Sequence, residues 1–168
     1  MDAGVRRWYV LYTKPRFEKK VHQQLLQKQI ESYLPLQKVI RRWSDRKKKV
    51  EEPLFPNYVF VHTNEKERLA SLAAFGVVRC VSFAGRVAVV PDAQIESLKR
   101  MLDEEKSVEV YPTIPIGTKV KIVRGPLCGI EGTLTDIRGV KRFAVTIDAL
   151  QRSVLIEIKA SDVKAISE

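Results

Sequence analysis

Residues Pro53-Leu54-Phe55-Pro56-Asn57-Tyr58-Val59-Phe60-Val61 constrain this chain more than any other stretch. Two prolines punctuate it. The Tyr-Val-Phe-Val run that follows is too short for a helix and rich in the aromatic and β-branched residues that suit a central strand. Alternation along a strand puts Tyr58 and Phe60 on one face and Val59 and Val61 on the other. Both faces are therefore apolar. An antiparallel sheet usually leaves one face wet, so a strand of this kind has to be covered twice, by the protein's own helices or by a partner.

Around this strand the elements follow in order. Trp8-Tyr9-Val10-Leu11-Tyr12 reads as a first strand, with Trp8, Val10 and Tyr12 facing one way. Pro15, suited to a first helical position, predicts a helix over 15–29. Phe17, Val21 and Leu25 form its narrow apolar stripe, flanked by Lys14, Arg16, Lys20, Gln23, Gln24 and Gln27. A second strand is expected over 30–40, with Pro35 marking an edge or bulge. Six of the nine residues 41–49 are basic and only Trp43 is apolar, which predicts a solvent-projecting hairpin tip ordered by something anionic. The central strand takes 55–61. Asn64 caps a helix over 65–74 that Gly76 stops. Strands over 77–83 and 87–90 flank an Ala84-Gly85 turn. Pro91 then opens a helix whose buried side is Ile95, Leu98, Met101 and Leu102. This order predicts an α+β domain with an antiparallel sheet and helices over 1–106. Residues 107–114, with Pro112 inside and Pro115 directly after, read as a linker. From 115 to 168, short β-rich runs punctuated by Gly117, Gly125, Gly129, Gly132 and Gly139 predict a small all-β, SH3-like barrel.

The charge is unevenly placed. Formal net charge is +10, and between 14 and 49 twelve Lys and Arg against three Asp and Glu account for +9 of it. A localised basic surface points to a polyanion, most often nucleic acid. Catalysis is not expected. His22 and His62 lie in no metal-ligand spacing, and Gly125-Pro126-Leu127-Cys128-Gly129 lacks what a phosphate loop needs. Cys80 and Cys128 show no paired spacing, so neither a metal nor any other cofactor is implied. With no apolar run near a membrane span's length and no signal-like start, a cytoplasmic protein, monomeric and without membrane contact, is the expectation.

The same residues carry a family resemblance. Trp8-Tyr9-Val10 followed by a basic helix, then Phe55-Pro56-Asn57-Tyr58-Val59-Phe60-Val61, resembles the N-terminal (NGN) domain of NusG transcription factors. Gly117-x-x-Val120-x-Ile122-x-x-Gly125-Pro126-x-x-Gly129-x-x-Gly132 resembles the KOW motif that follows it there. Asn57, where general NusG usually has glycine, is similar to the specialised RfaH and UpxY antiterminators. The resemblance implies a transcription elongation and antitermination factor whose N-terminal domain rests on the clamp helices of the largest RNA polymerase subunit. The matching contact positions are Val10, Tyr12, Tyr58, Phe60, Phe83, Ile95 and Leu98. It implies contact of the first helix with the non-template DNA strand at Lys14, Lys20 and Gln24, with Arg16 and Gln23 as neighbours. Arg41, Arg42, Arg46, Lys47, Lys48 and Lys49 would meet upstream duplex DNA.

In the KOW domain the resemblance assigns partner recruitment to the loop holding Ala149, Leu150 and Arg152. The partner is termination factor Rho or a small-subunit ribosomal protein. Ala149 and Leu150 stand where larger apolar residues are characteristic, which makes Rho the poorer fit. The competing reading is a ribosome-associated KOW protein that binds RNA.

Overall fold

The computed structural model describes residues 4–104, 107–113 and 115–166, which divide into two units, Met1–Pro91 and Asp92–Glu168. In the first, β1 (Arg7–Thr13) leads into α1 (Glu18–Gln27), β2 (Glu31–Tyr33), β3 (Leu36–Arg42), β4 (Lys47–Pro53) and β5 (Tyr58–Thr63). Helix α2 (Glu65–Ser71), β6 (Val77–Cys80), β7 (Ser82–Phe83) and β8 (Arg86–Val87) complete it. The main sheet is antiparallel in the order β2-β5-β1-β6, so β5 is interior, as its two-sided apolar pattern requires. Tyr9, Leu11, Val59 and Val61 meet Val21, Leu25, Ile30, Leu34 and Ala74 in one core cluster. The opposite sides of the same strands carry Val10 and Tyr12, set against Phe60 and Tyr58 in register. Strands β3 and β4 form a separate ribbon paired from Leu36↔Pro53 to Arg42↔Lys47, and β7 and β8 a second, short one.

The second unit comprises α3 (Asp92–Glu104), β9 (Glu109–Tyr111), β10 (Thr118–Ile122), β11 (Glu131–Ile137), β12 (Val140–Ile147), β13 (Arg152–Glu157) and β14 (Val163–Ala165). Its strands form one antiparallel sheet ordered β14-β10-β11-β12-β13-β9. Phe143, Val145 and Ile147 alternate on one face with Val154 and Ile156 of the neighbouring strand, all buried. Gly132 has to lack a side chain, because a Cβ there would lie 2.6 Å from the Phe143 ring. Ala144 and Leu155, on the other face, are buried too, and α3 packs against β12. Arg100 of α3 donates to the carbonyls of Pro126 and Cys128, each at 2.9 Å.

An α+β unit followed by a β-rich one is the order expected, but several boundaries move. Helix α1 starts at Glu18 rather than 15, because Arg16 adopts φ 67° and Lys14 closes a turn by accepting from the Phe17 N–H at 3.1 Å. Strand 30–40 is interrupted at Pro35, whose carbonyl bonds Leu54 N instead of a ladder partner. β5 begins at Tyr58, not 55, since Asn57 sits at φ 75°. Helix 65–74 ends at Ser71. Strand 77–83 stops at Cys80 and resumes as β7, and 87–90 is reduced to β8 plus a single bridge from Val90 to Trp8. The basic 41–49 stretch is no loose tip: Arg41, Arg42 and Lys47 to Lys49 lie in paired strands, and only the Trp43–Arg46 turn is left over.

The expected linker is corrected most. Residues 109–111 pair with β13 through Val110↔Val154, making β9 an edge strand of the second sheet. Alternation of Val110 with Glu109 and Tyr111 suits an edge. The boundary after 106 and the linker's last residue, Ile114, fall on residues outside the described set.

Candidate nucleic-acid and polymerase interfaces

Two features of the first unit stand out, and both lie where β1 ends. The first is aromatic. Tyr12 and Tyr58 are directly opposed, with ring centroids 5.6 Å apart at 62°, and the Arg79 guanidinium lies 5.2 Å over Tyr12. Edge-on aromatic pairs of this kind are favourable beyond the area they bury. Phe83, on the β7–β8 ribbon, is 54% exposed. These three are the accessible members of the set expected to meet polymerase. Val10 and Phe60 are fully buried, Phe60 against Phe55 and Tyr33, with both ring distances 6.2 Å. Ile95 and Leu98 of α3 are likewise interior. The strand alternation of Val10 and Phe60 and the helical spacing of Ile95 and Leu98 mark apolar faces, which sequence alone does not divide into contact and core.

The second feature is basic. Lys14 N donates to Gly76 O at 2.9 Å, which ties the β1–α1 turn to the loop after α2. Gly76 is at φ 102°, and a Cβ on it would lie 2.6 Å from the Phe17 ring, so only glycine lets the two loops meet. Phe17 and Phe75 consequently come together, centroids 5.5 Å apart at 66°, with Phe75 68% exposed. Lys14 Nζ stands 5.6 Å over Phe75 and Lys20 Nζ 5.0 Å over Phe17. Arg16 is exposed in its left-handed turn, a conformation that costs a non-glycine residue about 1 kcal/mol and often marks function. Glu18, the acidic residue between these cations, is buried and takes its charge out of the surface.

Of the glutamines expected beside them, Gln23 is exposed, but Gln24 is committed. Its amide donates to Phe75 O at 2.9 Å and accepts from Phe75 N at 3.0 Å. Phe75 is the residue that the sequence reading passed over. The one signal available was an exposed-type aromatic directly before a helix-stopping glycine.

The β3–β4 ribbon spreads the remaining cations over two faces. Arg41 is held by Glu52 through two bonds of 2.7 Å, which raises the guanidinium pKa and lowers that of the carboxyl. Arg46 and Lys48 lie 5.7 and 5.6 Å over Trp43. On the other face, alternation places Lys38, Arg42, Lys47 and Lys49 around exposed Ile40.

In the second unit, Ala149 and Leu150 sit buried in a 3-10 turn, Asp148–Leu150, so their methyl groups offer little surface to a partner. Gln94 donates to the Asp148 carboxylate at 2.9 Å. Arg152 is half-buried on β13.

A profile described as transcription termination factor NusG matches residues 6–99, which spans the sheet, the tyrosine pair, the basic corner and most of α3. The chain belongs to the NusG family. The NusG transcription termination/antitermination protein of Staphylococcus carnosus is 27% identical, with 98% of each chain aligned, and that of Lactococcus lactis is 28% identical over 95% of this chain and 92% of its own. A solved structure titled as domain interaction in Thermotoga maritima NusG matches with TM-score 0.51 and 26% identity, covering 98% of this chain and 99% of that one. A NusG-family chain that aligns end to end with such proteins acts in transcription, in a family of transcription factors rather than enzymes. None of the helices among the described residues is long and apolar enough to cross a membrane.

Proposed function

We propose that this NusG-family protein binds RNA polymerase during elongation through Tyr12, Tyr58 and Phe83, docking on the coiled-coil clamp helices of the largest subunit. In the bound state, Lys14, Arg16 and Lys20 face the unpaired non-template strand, and the Lys38, Arg42, Lys47 and Lys49 face of the ribbon meets duplex phosphates. The carrying observation is the juxtaposition at the end of β1 of a partly exposed tyrosine pair and a cationic corner. An apolar anchor beside a basic surface suits a partner that presents protein and nucleic acid side by side. Recruitment of a further partner through the KOW-type unit would rest on Arg152, since Ala149 and Leu150 are buried. A small-subunit ribosomal protein remains the partner class the sequence points to, with Rho the weaker fit.

In vitro transcription and pull-down with purified bacterial RNA polymerase test this. Truncating an anchor of this type weakens binding by about 30-fold, so Tyr58→Ala should lose both polymerase capture and any effect on pausing. A Tyr58→Ala protein with an unchanged urea midpoint and undiminished capture would remove the docking surface.

A further inference from the structure

We infer that Phe75 is a stacking platform for an unpaired DNA base, and that Gln24, expected from sequence to contact the non-template strand, is instead the positioning residue that holds Phe75 in place. The inference rests on the single-strand reading above and names the group that would complete it. Proteins that hold single strands without reading sequence combine cations tracking the backbone with aromatic rings on which bases stack. The backbone part is present in Lys14, Arg16 and Lys20. The ring is Phe75, more exposed than any other aromatic side chain among the described residues.

Three features argue that this exposure is built. Phe17 packs against Phe75 edge-to-face, with ring centroids 5.5 Å apart at 66°, and Phe75 still remains 68% exposed. Both backbone polar groups of Phe75 are bonded to one side chain, the Gln24 amide, which fixes the residue without covering its ring. Gly76 supplies the left-handed turn that lifts Phe75 beside Lys14. Lys14, standing over the ring, is one side-chain swing from the phosphate of a base stacked there. The Gln24 amide, with its oxygen and a nitrogen hydrogen already used, has little left to offer a base edge.

The test uses the full chain and a single-stranded DNA of about 12 nucleotides carrying one 2-aminopurine, whose fluorescence is quenched by stacking. Wild type should bind with quenching. Phe75→Leu keeps the apolar bulk but not the aromatic face, and should bind roughly 5- to 150-fold more weakly without the quench, whereas Phe75→Trp should retain both. Gln24→Met keeps length but not the two bonds. It should diminish the quench while leaving the salt dependence of binding unchanged, which loss of a phosphate contact would not do. Lys20→Ala should lower the salt dependence and keep the quench. If Lys20→Ala weakens binding while Phe75→Leu binds and quenches like wild type, the stacking assignment falls and the cationic reading stands. If wild type fails to bind the oligomer at all, both fall together. Tighter binding of the corresponding RNA oligomer would overturn the assignment to DNA. Equal urea midpoints for the variants show that a loss is not a loss of fold.

Discussion

Asn57 illustrates how a single residue sets the approach to the central strand. At φ 75° it occupies the left-handed region that asparagine tolerates better than other side-chain-bearing residues, and its amide donates to Thr13 O at 3.2 Å while its own carbonyl accepts from Thr13 N at 2.8 Å. The turn thereby locks β5 beside β1 and brings Tyr58 opposite Tyr12. Alanine should therefore cost more than glycine here. Asn57→Ala loses the amide bond and adds left-handed strain, for a total of about 1–3 kcal/mol, while Asn57→Gly loses only the bond; urea unfolding of the two variants gives the comparison directly.

Among the elements, α2 depends on its ends because it is only seven residues long. Asn64 accepts from Glu67 N at 2.8 Å, and the Glu67 carboxylate accepts from Asn64 N at 3.2 Å, a complete capping box. Asn64→Ala should lower stability by about 1 kcal/mol, seen as a lower urea midpoint at unchanged slope. The ribbon makes a different kind of prediction, because pairing separates its cations. Arg41 is neutralised by Glu52, whereas Lys47 and Lys49 face outward with Arg42 and Lys38. Replacing Lys47 and Lys49 together by alanine should reduce the slope of log affinity against log salt for duplex DNA by about two, while Arg41→Ala leaves that slope nearly unchanged. Equal slopes for the two variants would rule out a one-faced phosphate contact.

At the scale of the whole molecule, stability should fall on mild acidification. His22 of α1 bonds Ser32 of β2 at 2.6 Å, and burial holds its imidazole below the ordinary pKa of 6.5. The unfolded chain then binds more protons than the folded one as pH drops through about 6.5, so stability is full above that range and declines below it, until the folded pKa is passed. Urea midpoints measured from pH 7.5 to 5 should decline, and His22→Gln should flatten the part due to this residue. Burial acts on the Cys80 thiol in the opposite sense, raising its pKa, so it stays protonated at neutral pH. The +9 of formal charge carried by residues 14–49 is divided by the fold between a corner at the end of β1 and the two faces of a ribbon.

By itself the sequence determined the elements and their faces. Period-two alternation in Trp8 to Tyr12 and Tyr58 to Val61, the Asn64 cap, the apolar spacing of α3 and the glycine-punctuated β runs are local signals, each carried by neighbouring residues. Only the tertiary structure decided which apolar side chains remain at the surface, since Val10 and Phe60 follow the same alternation as Tyr12 and Tyr58 yet are buried. It alone paired 109–111 with β13, and it alone brought Phe75 to Phe17 and Lys14 across more than fifty residues of chain. The physical reason is common to all three: burial, strand pairing and ring contact are made between residues distant in sequence, and no periodicity within one segment encodes its partner in another.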